Sequence, residues 1–264
     1  PCPAGPRRPE RTGMRGKAAA VPREAPEVSV VIPCYNEAER LELPQFEMLL
    51  ANPGVSLLFV DDGSKDATLE LLQGFAASAK NVSVLPLSPN RGKAEAVRQG
   101  LLQAMQSEPD VVGFIDADMA TPVTEVCRLI ERAHEETADA IIGSRIAYMG
   151  AQIDRSVWRH YLGRVFATAA SLALDAPVYD TQCGAKFFRR SELFLRVIDE
   201  PFHSRWAFDV ELLGRLLAEH AQIIEVPLQR WVDVPGSKIG LKSMVKAGID
   251  LVQIRSHLVK RRGK

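Results

Sequence analysis

Two carboxylates flank a single alanine in Asp116-Ala117-Asp118, directly after the apolar run Val111-Val112-Gly113-Phe114-Ile115. Such a run reads as a strand buried on both faces, as in a parallel sheet. Open α/β sheets bind ligands beyond the carboxyl ends of their strands, which is where this Asp-x-Asp falls. Paired hard oxygen donors at the lip of a cleft suit Mg2+ or Mn2+, with substrate phosphates supplying further ligands. Acidic pairs are also common on solvated loops. Their meaning therefore depends on what else reaches the same edge.

The surrounding pattern supplies an edge. Runs rich in β-branched and apolar residues predict strands at 28–32, 56–60, 82–85, 111–115 and 138–143. Helical spacing predicts helices at 38–50, interrupted near Pro44, and at 67–79, 94–106 and 123–135. Ser64 or Asp66 is placed to cap the second of these, and Pro122 suits the first turn of the fourth. Strands alternating with helices of this length mean a parallel sheet with right-handed crossovers. After Arg145 the pattern changes: a helix over 155–174, a turn into a strand over 180–188, a helix over 206–220 and a strand over 223–231. The first strand is not followed by G-x-G-x-x-G, and no G-x-x-x-x-G-K-[ST] occurs, which disfavours a dinucleotide enzyme and a P-loop NTPase.

Composition is that of an ordinary globular protein, with 46% hydrophobic and 25% charged residues. A formal net charge of zero gives no argument for nucleic acid. The four cysteines (Cys2, Cys34, Cys127, Cys183) show no C-x-x-C spacing, so a reducing, cytoplasmic setting is the simpler expectation. The longest apolar stretch, 165–174, is far short of the ~18 residues a spanning helix needs and reads as a buried helix. Residues 1–27 read as a disordered leader, 28–241 as the folded domain and 242–264 as a basic amphipathic helix. That last segment carries seven Lys/Arg against one Asp, with apolar residues interleaved. It could lie peripherally on anionic lipid or pack back on the domain.

Five motifs now stand at strand ends or helix starts: V-I-P-C-Y-N-E (31–37), V-D-D-G-S (60–64), N-R-G-K (90–93), D-A-D (116–118) and G-S-R (143–145). Together they resemble the family 2, GT-A-type glycosyltransferases. D-T-Q-C-G-A-K-F-F (180–188), R-W-A-F-D-V-E-L-L (205–213) and G-S-K (236–238) are similar to the dolichyl-phosphate β-glucosyltransferase branch. The resemblance spans roughly residues 28–255. It implies a single α/β domain, a Rossmann-like and mostly parallel sheet flanked by helices, closed by the C-terminal basic helix. It also implies an inverting enzyme that moves glucose from UDP-glucose to a polyprenyl phosphate, giving a β-linked lipid-phosphosugar. A GDP-mannose-dependent mannose synthase and a non-catalytic nucleotide-sugar-binding protein are the alternatives.

On this resemblance Asp118 holds the metal, and Asp116 helps through the metal or the ribose. Mannose synthases place a Gln where this chain has Ala120. Pro33, Tyr35, Asn36 and Glu37 line the nucleotide pocket together with Ala117, and Asp61 or Asp62 lies near base and ribose. Tyr35 can stack on a base, and carboxylates can accept imide or hydroxyl hydrogens; capping of a helix is the other use for Asp61 and Asp62. Lys93, at a helix start, can meet a phosphate. The acceptor phosphate is already an anion, so it needs cations more than a base. Arg145, Arg159 (or Arg164) and Lys238 are the candidates to clamp it. Asp180 and Gln182 belong near the reaction centre. Asp209 faces the sugar or forms an ion pair, and Cys183 reads as packing.

Overall fold

The computed structural model describes residues 27–154, 157–233 and 241–262. In chain order the elements are β1 (Val28–Cys34), α1 (Leu43–Leu50), β2 (Val55–Asp61), α2 (Thr68–Ser78), β3 (Val82–Pro86), α3 (Lys93–Met105), β4 (Val111–Phe114), α4 (Val123–Glu135) and β5 (Ala140–Ser144). Then follow β6 (Gln152–Asp154), α5 (Val157–Leu174), β7 (Lys186–Arg189), α6 (Glu192–Asp199), α7 (Phe208–Ala218), β8 (Ile223–Pro227), β9 (Arg230–Val232) and α8 (Leu241–Arg262).

Seven strands form one sheet in the order β3-β2-β1-β4-β7-β5-β8, and β6 pairs with β9 in a small second sheet. All pairings in the large sheet are parallel except those of β7, which runs antiparallel between β4 and β5. That reversal matters for chemistry. Lys186 opens β7 opposite Phe114, the last residue of β4, so the loop before β7 emerges at the edge where the parallel strands end. The 180–185 loop and the Asp-x-Asp therefore share one edge.

Both faces of the sheet are covered, as expected for strands that read as continuous apolar runs. One core joins Ile32, Leu57 and Phe59 to Phe46 and Leu49 of α1, Leu72 of α2 and Val126 and Leu129 of α4. The other joins Val31, Val60 and Phe114 to Val97 and Leu101 of α3 and to residues of α5, α6, α7 and α8. From α8 it takes Leu251, Ile254 and Leu258, so part of the C-terminal hydrophobic set packs back on the domain. Among the described residues no helix is long and apolar enough to cross a membrane.

Two expected elements differ, and α6 and β6 are additions. The 38–50 helix begins only at Leu43, because Pro44 lacks an N–H and would break a helix interior but is tolerated in a first turn. Residues 38–42 instead form a turn in which Arg40 and Leu41 donate their N–H to the Glu37 carbonyl, both at 2.9 Å. The 223–231 strand is two strands, since Leu228 and Gln229 carry the chain from the large sheet to the small one. α6 was not anticipated, although Ser191 is an orthodox N-cap, its Oγ accepting the Phe194 N–H at 3.1 Å.

Candidate active site

The β1–α1 and β2–α2 loops are laced together. Asn36, at φ 53°, donates its N–H to Ser64 Oγ at 3.0 Å and accepts the Lys65 N–H on Oδ1 at 2.8 Å. Asparagine tolerates that left-handed backbone. Glu37 donates its N–H to Thr68 Oγ1 at 2.8 Å, and its carboxylate takes Arg40 at 2.7 Å. Tyr35, beside this lacing, keeps its ring exposed, and Pro33 lies within β1 opposite Val60. Burial pushes the Glu37 carboxyl above its ordinary value despite Arg40, and its Oε2 is buried without a hydrogen-bond partner among the described residues.

The two adjacent aspartates at the end of β2, Asp61 and Asp62, have different work. Asp62 accepts the N–H groups of Arg91 at 2.8 Å and Gly92 at 2.7 Å, so its carboxylate fixes the N-R-G-K loop at the start of α3. Gly92 sits at φ +92°, backbone that an L side chain rarely adopts. Asp62 thus caps the entry to α3, rather than the helix that follows it in sequence. Asp61 accepts the Ser64 N–H on Oδ2 at 3.2 Å, while its Oδ1 is buried with no partner among the described residues. Of the pair, Asp61 is the one with an acceptor to spare. Neither Ser64 nor Asp66 bonds as an α2 N-cap in the strict sense; Asp66 accepts Thr68 N–H at 3.0 Å one residue further on.

Ordered this way, α3 presents Lys93 to Asp116, Nζ to Oδ1 at 2.5 Å. Burial pulls the Lys93 ammonium down, but the charges of Asp116, Asp209 and Asp118 outweigh it and hold its pKa above the ordinary value. Asp118 accepts the Ala120 N–H at 3.1 Å. Burial first, and then the charge of Asp116, raise the Asp118 carboxyl above its usual range. Ala117 between them is buried. An anion that is crowded and poorly compensated is a place where a cation fits. The described residues contain no group of three or more acidic, His or Cys ligands. Asp116 and Asp118 form a pair of carboxylates that would suit a hard divalent ion taking its remaining ligands from water and phosphates.

Gly184, in the loop before β7, makes room for this site. A Cβ there would lie 2.1 Å from Asp116 Oδ2. In the same loop Asp180 accepts Arg145 Nε at 2.7 Å, Nη2 at 2.8 Å and the Arg145 backbone N–H at 3.0 Å. Burial disfavours both charges, yet the pair wins: Asp180 is held well below the usual carboxylate range and Arg145 above its own. The Arg145 guanidinium also lies 5.3 Å from the Trp231 ring centroid. Glu225 of β8 ties down the same loop, accepting the N–H groups of Tyr179 at 2.9 Å and Asp180 at 2.6 Å.

A small cavity opens beside the pair, lined by Arg145, Arg164, Phe166, Tyr179, Asp180 and Gln182. Arg164, on α5, stacks its guanidinium 3.7 Å from the Tyr179 ring centroid and donates to the Tyr179 carbonyl at 3.1 Å. Asp209 lies beneath the site, where its Oδ1 receives the fully buried Lys186 Nζ at 2.6 Å. That is the ion-pair alternative. Burial pushes the Cys183 thiol up to about 11, in keeping with packing. The Arg159 side chain and all of Lys238 lie outside the described residues.

The structure thus brings Tyr35, Glu37, Asp61, Lys93, Asp116, Asp118, Arg145, Asp180 and Gln182 to one edge of the sheet. Sequence reasoning did not single out Lys186, Glu225 or Gly184. A signal existed for Glu225, a lone charge inside an apolar strand.

This fold and site define a GT-A glycosyltransferase. Residues 29–194 match the profile described as Glycosyl transferase family 2. A dolichyl-phosphate beta-glucosyltransferase of Drosophila melanogaster is 36% identical over 249 residues, covering 86% of this chain and 74% of that protein. A counterpart from Trichomonas vaginalis is 32% identical over 239 residues, covering 85% and 69%. Among solved structures, a glucosyl-3-phosphoglycerate synthase of Mycobacterium tuberculosis, in complex with Mn2+, UDP and phosphoglyceric acid, superposes with a TM-score of 0.61 at 19% identity, covering 90% of this chain and 79% of that one. The chain belongs to glycosyl transferase family 2.

Proposed function

We propose that this enzyme transfers glucose from UDP-glucose to a dolichyl-type polyprenyl phosphate, with inversion, working peripherally at a membrane surface. The observation that carries this reading is the relatives' shared activity. Proteins named for this reaction match about 85% of the chain at 32–36% identity.

In this reading the base stacks on Tyr35, and Asp61 Oδ1 accepts its imide N–H. Asp116 and Asp118 hold Mg2+ or Mn2+. The ion, when bound, stabilises the charge on the departing diphosphate. Lys93 brings a second positive charge to the same place, already seated against Asp116. The acceptor is a monophosphate with a second pKa of ~6, so one of its oxygens attacks C1 without first losing a proton to a base. The site then needs positioning. Arg164 and the Arg145–Asp180 pair line the cavity that receives the phosphate, with Gln182 beside the sugar. Arg159 and Lys238 join the clamp on sequence grounds alone.

The test is transfer to a short polyprenyl phosphate from UDP-glucose, GDP-mannose or UDP-N-acetylglucosamine, each with and without EDTA. EDTA-sensitive lipid product from UDP-glucose supports the proposal. Product from GDP-mannose alone would replace the donor. Tight UDP binding without turnover on any lipid phosphate would leave a binding protein.

A further inference from the structure

α5 and α8 pack against each other and against α7, forming an outer layer of the domain. α8 buries Leu251, Ile254 and Leu258. On its opposite side Ile249, Val252 and Val259 are exposed, and Val165 and Leu172 are exposed on α5. These five side chains are 55–72% exposed. On α5, Val165, Thr168 and Leu172 follow the i, i+3, i+7 spacing of one helix face. Arg255 joins the two stripes, donating Nη1 to the Leu172 carbonyl at 2.5 Å. A soluble helix normally turns such a stripe toward a core; here two adjacent helices turn one outward.

Charge argues for what covers this face. Residues 242–264 hold seven Lys/Arg and one Asp, while the whole chain has a net charge of zero. A segment of that charge carrying an exposed apolar stripe matches an anionic lipid surface. The face also has a position. Gly163, Arg164, Phe166 and Ala167 of α5 line the cavity beside Arg145 and Asp180. Val165 lies at the same level of α5 as these residues, with its side chain turned to the opposite, outer side.

We propose that the joint outer face of α5 and α8 is the surface on which this protein sits on an anionic bilayer, at the level of α5 that also lines the Arg145–Arg164 cavity. The placement of the acceptor rests on the function proposed above; the seating itself does not.

The experiment is co-sedimentation of the full chain with phosphatidylcholine vesicles, with or without phosphatidylserine, for wild type and the double variant Leu172→Glu/Val252→Glu. Both positions are exposed, and circular dichroism checks that the variant is folded. Wild type should sediment with the phosphatidylserine vesicles, and the double variant should bind at least about tenfold more weakly, the scale of losing one inserted aliphatic side chain. Transfer to acceptor embedded in those vesicles should fall in parallel, while transfer to a short, soluble polyprenyl phosphate should not change. Equal sedimentation of both proteins would overturn the proposal. So would a dimer, seen by analytical ultracentrifugation, that the double variant abolishes with no vesicle binding in either form. Vesicle binding is read without donor or acceptor, so a negative transfer assay alone refutes only the enzymatic reading.

Discussion

Arg145 meets Asp180 with two guanidinium nitrogens, Nε at 2.7 Å and Nη2 at 2.8 Å, and adds its own backbone N–H at 3.0 Å. This fork joins the end of β5 to the loop before β7, two segments that are 35 residues apart in sequence. A guanidinium gripped this way is a fixed wall of the cavity beside it, and it is the Asp180 fork that aims it.

Asp180→Ala should therefore act on stability as well as rate. It leaves the buried Arg145 cation without its anion, a change worth about 3–5 kcal/mol when a buried pair loses one partner. Urea unfolding at neutral pH should show a loss of that order. Asp180→Asn keeps the shape and should lose less. The pH dependence has a definite sign. A carboxyl held below its ordinary value stabilises the fold above about pH 4 and stops doing so as pH falls through its folded value. The gap between wild type and Asp180→Asn should accordingly be full at pH 7 and shrink on acidification. A gap independent of pH would mean that the pair does not set the stability.

Gly184→Ala probes the space around Asp116. The added methyl would sit 2.1 Å from Asp116 Oδ2, so the carboxylate must move. A displacement of about 1 Å at a reacting centre can cost about 100-fold in rate. Transfer activity should drop by that order, with Mn2+ affinity reduced and the far-ultraviolet circular dichroism unchanged. Normal activity would show that Asp116 has slack.

Asp118→Asn and metal removal should give matching losses. If a divalent ion supplies several kcal/mol to the departing diphosphate, each change should lower kcat by about 100-fold or more. Because burial and Asp116 raise the Asp118 carboxyl, metal binding should fail on acidification at a higher pH than for an ordinary aspartate. Titration of Mn2+ affinity against pH measures this directly. Full activity in EDTA would remove the metal from the mechanism.

Lys93→Met should separate binding from folding. The Lys93–Asp116 contact is half-exposed on both sides, and pairs of that kind contribute about 0–1 kcal/mol to stability. Thermal midpoints should barely move. Donor KM should rise about 10- to 150-fold if the ammonium serves the diphosphate, since one charged contact to a bound anion is worth about 1.5–3 kcal/mol. A large drop in midpoint with unchanged KM would make Lys93 a structural residue.

Much of the edge that carries the candidate site was legible in the sequence because its loops follow strands whose apolar runs are unmistakable. Val28–Cys34, Val55–Asp61 and Val111–Phe114 each deliver acidic or polar residues to the same edge, and parallel pairing makes that edge common to all three. What the sequence hid was the orientation of β7. A four-residue strand carries no sign of its direction, yet it is the antiparallel insertion of Lys186–Arg189 that brings Asp180 to Arg145. The division of labour between Asp61 and Asp62 was hidden for a similar reason. Neighbours on a strand point to opposite faces, and only the fold shows that Asp62 faces the 91–92 amides while Asp61 keeps an empty acceptor.

That empty acceptor yields the sharpest test of the proposed base pocket. Asp61 Oδ1 is buried and receives no hydrogen bond among the described residues, although Oδ2 takes the Ser64 N–H. A buried, unsatisfied carboxylate oxygen costs the free protein stability, which a ligand donor would return on binding. Asp61→Asn is nearly isosteric: the amide oxygen can still take Ser64 and the NH2 group then occupies the Oδ1 position. Against an imide N–H it sets donor against donor, a mismatch of about 1–3 kcal/mol. UDP should bind about 10–100-fold more weakly to Asp61→Asn by calorimetry, while thermal stability without ligand should hold or rise, since the variant buries no charge. Unchanged UDP affinity would put the base elsewhere and return Asp61 to the role of a loop-shaping residue.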